Sequence, residues 1–155
     1  MNTEINANWI LKIVDTGGYF NIDIIESKNS KLGYRVVPEF SIIRNEDDEG
    51  GIACLHSIRD FFGHGFVRPL WPPYTYFYKY HVRKLKTLNT VIVPFFRANK
   101  LLSNRLLKET NRAKLSLFEE AIFIMEQRGH LTESGLDKII KIKDKMFIED
   151  SKGWL

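Results

Sequence analysis

The chain has 155 residues, of which 44% are hydrophobic and 27% charged, and its formal net charge is +4. This composition is that of a globular domain, and it excludes a disordered, collagen-like or low-complexity chain. A single cysteine excludes an internal disulfide, and since no apolar run approaches the roughly 20 residues of a membrane helix, we expect a soluble protein without a membrane partner.

The first predicted elements are a short helix and a β-hairpin. Apolar residues recur at helical spacing over residues 8–16, and Gly17 and Gly18 then favour a helix stop, because glycine tolerates the left-handed conformation. Apolar and polar residues alternate over 19–25 and again over 34–44, with a polar turn region between them. The beginning of the chain is therefore predicted to form a helix followed by two antiparallel strands.

The middle of the chain repeats this order. An apolar stripe from Ile52 to Phe62 predicts a second helix, after an acidic segment that contains glycine. Two further alternating segments, 65–68 and 74–83, predict a second hairpin that turns at a Trp-Pro-Pro connection. The side chains expected to share one face of the last strand are Tyr76, Tyr78, Tyr80 and Val82.

The remaining elements are predicted to be helices. Residues 85–93 have a helical pattern that we expect to end at Pro94, and 115–125 and 136–146 are amphipathic. Thr132 is a suitable N-cap for the last of them. The complete order predicts an α+β domain in which helices cover one face of an antiparallel sheet.

The other face of that sheet is left open, and it carries basic and hydrogen-bonding side chains. Such a ribbon can enter a major groove, and the net positive charge permits a polyanionic partner. The alternative is a solvated face without a partner, and Asp23 and Glu39 on the same face argue against a uniform phosphate-binding surface. The predicted nucleic-acid-binding residues are Tyr19, Asn21, Arg35, Ser41, Arg68, Lys79, His81 and Arg83.

Three segments resemble the LAGLIDADG homing endonuclease family: 9–20 (WILKIVDTGGYF), 31–42 (KLGYRVVPEFSI) and 130–137 (HLTESGLD). The third is similar to the C-terminal helix of the fungal mitochondrial monomeric branch. The resemblance implies an αββαββα fold with a saddle-shaped antiparallel sheet and its helices on one face. It also implies one domain over residues 1–155, with its core at about 8–148.

In the family, two such units pack through their signature helices, and an acid at the end of each helix coordinates a divalent cation. A hard cation such as Mg²⁺ needs oxygen ligands there. The resemblance places Gly17 at the position of this acid, so we expect no metal ligand and no cofactor, except Mg²⁺ if the chain is an endonuclease. Asp15 is a catalytic candidate, but it lies about 200° away around the helix axis.

The resemblance fails at other informative positions. Leu11 and Lys12 stand where the family places small residues between two packed helices. Counting back from the third segment without a gap puts Asn111 where the family has a basic active-site residue, and a slip of one residue puts Arg112 there. Arg44 falls where a polar active-site neighbour is found. Arg44 and Arg112 are therefore the other two catalytic candidates.

These departures leave several functions open. The leading interpretation is a LAGLIDADG-derived nucleic-acid-binding protein that has lost cleavage, acting on RNA as a maturase-like or ribosome-associated protein, or on DNA as a binding component. The alternative is an active intron-encoded, Mg-dependent, site-specific DNA endonuclease that works as a dimer or with a second subunit, or a variant disarmed at Gly17. Partners would be DNA or structured RNA, a second LAGLIDADG unit or a ribonucleoprotein.

A third interpretation is a structural subunit whose aromatic residues contact another protein. The residues that would form this interface are Tyr74, Tyr76, Phe77, Tyr78 and Tyr80. The abundance of Ile, Lys, Asn and Phe is typical of AT-rich genomes, and with the resemblance it predicts an organellar location, in a mitochondrion or chloroplast.

Overall fold

Four strands and a series of helices form the described part of the chain. The computed structural model describes residues 5–48, 50–71 and 76–152. The strands are β1 (Gly18–Glu26), β2 (Tyr34–Asn45), β3 (Phe66–Pro69) and β4 (Phe77–Val82). The helices are α1 (Ala7–Gly17), α2 (Gly51–Phe62), α3 (Leu85–Thr87), α4 (Val93–Ala98), α5 (Lys100–Leu106), α6 (Glu109–Glu126) and α7 (Glu133–Lys152).

The strands form one antiparallel sheet in the order β1-β2-β4-β3, so that β1 and β3 are its edges. This order places the two hairpins side by side through β2 and β4. The predicted α+β fold, with helices against one face of an antiparallel sheet, is confirmed. Of the tyrosines expected to share a face, Tyr78 and Tyr80 do so with Val82, whereas Tyr76 precedes β4.

Aromatic rings fill the core between the sheet and the helices. Phe20 of β1 lies 5.4 Å from Phe40 of β2 and 5.4 Å from Phe118 of α6, measured between ring centroids. Phe96 of α4 packs edge-on against both strands, 5.5 Å from Phe20 and 5.6 Å from Phe40. Edge-to-face contacts of this kind stabilise a core beyond the area they bury. The inner face of the sheet is therefore fixed by helices from distant parts of the chain.

The glycines after α1 are required for a reason other than the predicted one. Gly18 has extended backbone, with φ −87°, so the helix does not end through a left-handed glycine. A Cβ atom at Gly17 would instead lie 2.6 Å from the carbonyl oxygen of Ile43, and one at Gly18 would lie 2.7 Å from that of Val14. Because backbone atoms approach so closely, a larger residue at either position would have to shift its neighbours.

The helix predicted to end at Pro94 continues through it. A π-helical segment, Leu88–Ile92, joins α3 to α4, and Pro94 lies in the first turn of α4. Proline has no N–H group to donate, and the π-helical turn just before it, in which the Val93 N–H bonds the Leu88 oxygen, lets the helix continue. The sequence pattern also missed α5, whereas the predicted cap is confirmed, since Gly135 donates its backbone N–H to the hydroxyl of Thr132.

Candidate nucleic-acid interface

The strand register determines which side chains share the outer face of the sheet, defined here as the face opposite the core. Side chains alternate along a strand, so cross-strand partners point to the same side. Ser41 pairs with Tyr19 on one side and with His81 on the other, and Lys79 pairs with Arg68. The residues predicted from the sequence all lie on this side: Tyr19, Asn21, Arg35, Ser41, Arg68, Lys79, His81 and Arg83.

The expectation that all of these side chains are exposed is wrong for two of them. Ser41 is 3% exposed and His81 is 9% exposed, whereas Tyr19 is 48% exposed. Ser41 and His81 belong to the inner strands, so each has a cross-strand neighbour on both sides. Of the remaining predicted residues, Lys79 is half-buried, and the exposed ones are Tyr19, Asn21, Arg35, Arg68 and Arg83.

A buried carboxylate organises the centre of the outer face. Glu39 is 8% exposed, and its Oε1 atom accepts hydrogen bonds from Lys79 Nζ at 3.1 Å and from Arg83 Nε at 2.9 Å. The Nδ1 atom of His81 lies 3.7 Å from the same oxygen. We call these four residues the Glu39 cluster. Because two cations offset one carboxylate, the cluster keeps a positive charge, and Glu39 does not present a free negative charge to a partner.

The histidine of this cluster is held in its neutral form. Burial lowers the pKa of His81 below its ordinary value of 6.5, and the attraction of Glu39 offsets this only in part. The cations Lys79, Arg83 and Arg68 lower the pKa further. At neutral pH His81 therefore offers one hydrogen-bond donor and one acceptor rather than a positive charge.

Two outer-face residues were missed in the sequence. Phe66 is the cross-strand partner of His81 and is 60% exposed, and Lys84, two residues beyond β4, lines the same pocket as His81. The alternation that placed Arg68 on this face places Phe66 there as well. The signal was present, but an apolar residue at a strand edge was not taken as a candidate.

The last residue of α1 carries no carboxylate side chain. This residue is Gly17. Asp15, two residues earlier, accepts the backbone N–H of Lys108 at 2.7 Å and the Asn111 amide at 2.9 Å on its Oδ1 atom. Lys108 immediately precedes α6, so Asp15 caps the first turn of that helix from a distant position in the sequence.

The other catalytic candidates lie in different surroundings. Asn111, not Arg112, contacts the end of α1, since its amide also donates to the backbone oxygen of Asp15 at 3.1 Å. Arg112 lines a pocket of about 250 Å³ among α4, α5 and α6. The Nε atom of Arg44 lies 4.0 Å from Asp48. Within the described ranges, no cluster of three or more His, Cys, Asp or Glu residues could hold a metal ion.

The exposed side of α1 is polar. Leu11 is fully buried in the core of its own chain, so it does not occupy a seam between two units as expected. Asn8, Lys12 and Thr16 are exposed, and their spacing of four residues places them on one stripe. Lys12 alone of the two residues predicted at the seam is available to another chain.

The chain matches the family model described as LAGLIDADG endonuclease over residues 13–116, and it therefore belongs to that family. The Neurospora crassa protein named "Probable intron-encoded endonuclease 2" is 26% identical over 138 residues, which are 88% of this chain and 28% of that protein. "Probable intron-encoded endonuclease 3" of the same species is 26% identical over 157 residues, covering 94% of this chain and 26% of that protein. The chain thus spans about a quarter of the length of these curated relatives.

Solved structures of homing endonucleases share the fold. The crystal structure of I-TnaI has a TM-score of 0.77 at 30% identity and covers 93% of this chain and 89% of its own. I-SmaMI bound to cleaved DNA has a TM-score of 0.79 at 25% identity, over 92% of this chain and 44% of its own. The predicted family is confirmed. Among the described residues, no helix has the length and apolar character needed to cross a membrane.

Proposed function

We propose that this chain is a nucleic-acid-binding protein derived from a LAGLIDADG homing endonuclease that does not itself cleave nucleic acid. The observation that carries the proposal is the tip of α1, where Gly17 stands in place of the metal-binding acid. The chain acts on structured RNA as a maturase-like or ribosome-associated protein, or on DNA as a binding component. Its composition and its fungal relatives favour an organelle, the mitochondrion first, as its location.

The residues at the tip of α1 do not fit a Mg²⁺ site. Such an ion needs several oxygen ligands, and carboxylates supply the charge that holds it. The nearest candidate acid, Asp15, uses its Oδ1 atom to cap α6 and bind Asn111. Asn111 carries no positive charge that could act on a phosphate. Both charged groups that the family uses at this place are therefore missing from this chain.

The outer face carries the exposed cations that nucleic-acid binding requires. Arg35, Arg68 and Lys84 are exposed and make no salt bridge within the described residues. Cations in this arrangement bind phosphates by releasing counterions, whatever the sequence. I-SmaMI, a relative of the same fold, has been crystallised with DNA. Binding without cutting is the activity that these side chains support.

A selection experiment tests this proposal. Purified chain is used to select ligands from a randomised duplex DNA library and a randomised structured RNA library, and the best ligands are then incubated with the chain and Mg²⁺. We expect specific binding and intact strands. Specific strand scission by the purified chain would refute the loss of cleavage, and failure to enrich ligands from either library would refute binding.

The second candidate function is an active endonuclease that works as a dimer or with a second, acid-bearing unit. The chain covers 44% of I-SmaMI, so a second unit of similar size would complete that length. Two copies of this chain could not pack closely through α1, because two Lys12 side chains would meet without a counter-charge. We therefore expect a monomer in sedimentation experiments, and a homodimer that cuts DNA would establish the alternative.

Restoring the acid separates the two functions further. The variant Gly17→Glu must push its Cβ away from the Ile43 carbonyl oxygen, so its thermal unfolding has to be measured beside its activity. The double variant with Asn111→Lys restores both missing groups. Cleavage by a folded variant would show that the remaining site is intact, whereas folded but inactive variants support a protein adapted to binding.

A further inference from the structure

A basic pocket of about 590 Å³ opens at the β3–β4 edge of the outer face. Its volume falls within the range of ligand sites. The cations that line it are Arg68, Lys79, Arg83 and Lys84. Glu39 holds Lys79 and Arg83 through hydrogen bonds, which leaves Arg68 and Lys84 to bind an anion.

One wall of the pocket is an aromatic ring. Phe66 is 60% exposed, and the guanidinium carbon of Arg68 lies 5.2 Å from its ring centroid. The His81 ring lies 5.9 Å away at an interplanar angle of 35°. An exposed phenylalanine flanked by cationic side chains offers a nucleobase a surface on which to stack, with its phosphate near the cations.

The floor of the pocket contains a polar atom without a partner. His81 is 9% exposed, and its Nδ1 atom is buried without a hydrogen-bond partner among the described residues. Its distance of 3.7 Å from Glu39 Oε1 exceeds a hydrogen bond. This atom faces the Glu39 cluster, and the imidazole ring to which it belongs lines the pocket, where a ligand can meet it. The base edges of a nucleotide carry donors and acceptors that can serve here.

Phe66, Arg68 and His81 point to a ligand that combines a flat ring, hydrogen-bonding edges and a negative charge. We propose that this pocket takes one unpaired nucleotide of a structured nucleic acid, with its base on Phe66, its edge toward His81 and its phosphate between Arg68 and Lys84. The inference rests on the proposed nucleic-acid binding. In a continuous duplex the bases remain stacked inside the helix, so only an unpaired nucleotide can reach Phe66.

Matched probes test this assignment. The chain is titrated, without Mg²⁺, with a labelled RNA duplex, the same duplex with one central unpaired uridine, and a third duplex in which that nucleotide lacks its base. We expect the unpaired uridine to raise affinity about tenfold over both other probes, as one stacked base does elsewhere. A DNA set of the same sequence shows whether the sugar matters.

A second phenylalanine of equal exposure supplies the control variant. Phe66→Leu should abolish the preference for the unpaired nucleotide over the continuous duplex, whereas Phe66→Trp should retain it. Phe123 of α6 is also 60% exposed but lies outside the sheet, so Phe123→Leu should not change this preference. A 5-iodouridine at the unpaired position should cross-link to Phe66 on irradiation.

The outcomes distinguish this inference from the proposed function. Equal affinity of the wild-type chain for all three probes, or equal loss on all probes in Phe66→Leu, would overturn the pocket assignment while leaving nucleic-acid binding in place. Absence of binding to every RNA and DNA probe would overturn both. Preference for the base-bearing probe that disappears only in Phe66→Leu would establish the pocket.

Discussion

The tip of α1 and the outer face of the sheet differ in how much each depends on the rest of the fold. At the tip, the missing acid is a single side chain. Glycine fits at position 17, whereas the Cβ atom of another residue would lie 2.6 Å from the Ile43 carbonyl oxygen. On the outer face, Glu39, Lys79 and Arg83 hold one another in place across two strands. Under the proposed function, catalysis is lost at one residue, whereas the outer face is maintained by contacts among several.

The same comparison explains why Asp15 remains. An acid that served only to bind a metal would have no role beside Gly17. Asp15, in contrast, caps α6 and accepts a hydrogen bond from Asn111. Its place in the fold is structural, since it ties the beginning of α6 to the end of α1. The carboxylate of Asp15 is thus tied to the fold, whereas Gly17, the last residue of α1, offers no carboxylate.

The largest expected effect is that of salt on binding through the outer face. If about four phosphates are contacted, raising monovalent salt from about 50 to about 200 mM should lower nucleic-acid affinity roughly a hundredfold. Fluorescence anisotropy of a selected ligand measures this slope. A weak dependence on salt would instead favour the structural-subunit interpretation. In that case Tyr80 cannot be one of the interface residues, because it is fully buried and its hydroxyl donates a hydrogen bond to the His64 backbone oxygen.

Replacing Asp15 tests whether it is structural. Asp15→Ala leaves the N–H of Lys108 without its acceptor and removes one of the two acceptors of the Asn111 amide, so we expect a loss of about 2 kcal/mol in the free energy of unfolding. Asp15→Asn keeps an acceptor oxygen and should lose less. Urea denaturation measures both, with exposed Asp23→Ala as the control. Unchanged stability in Asp15→Ala would contradict the capping role.

Removing the carboxylate of the Glu39 cluster tests how the outer face binds nucleic acid. Glu39→Gln keeps the volume of the side chain and releases Lys79 and Arg83 to a phosphate, so affinity at low salt should rise about tenfold. Glu120→Gln removes an exposed charge from α6 and should have little effect. Reduced affinity in a folded Glu39→Gln protein would mean that the carboxylate orients the cations, and that their charge alone is insufficient.

The smallest expected effect is on the pH dependence of stability. Burial lowers the pKa of His81 and of His130 in the folded chain below the ordinary 6.5. The unfolded chain therefore binds protons more readily, so stability should fall as the pH is lowered through about 6.5. Urea denaturation at several pH values measures this fall. It should be smaller in His81→Gln, and an unchanged pH profile in that variant would contradict a neutral buried His81.

The sequence predicted the local features of this fold well. Alternation placed Phe20 and Phe40 on the inner side and Tyr19 and Ser41 on the outer side, because side-chain direction in a strand depends only on position along it. The motif also located the end of α1 and identified Gly17 there. Pro94 shows the limit of local rules, since the packing of Phe96 between β1 and β2 accompanies a helix that continues past the proline.

By itself, then, the amino-acid sequence determined the order of the strands and of the helices apart from α5, the two faces of the sheet and the absence of an acid at position 17. Only the tertiary structure decided that Glu39 meets cations 40 and 44 residues away. It also decided that Asp15 caps a helix 93 residues later, and that His81 is buried beside Phe66. Periodicity is a property of neighbouring residues, whereas burial and ion pairing depend on which distant segments strand register and helix packing bring together.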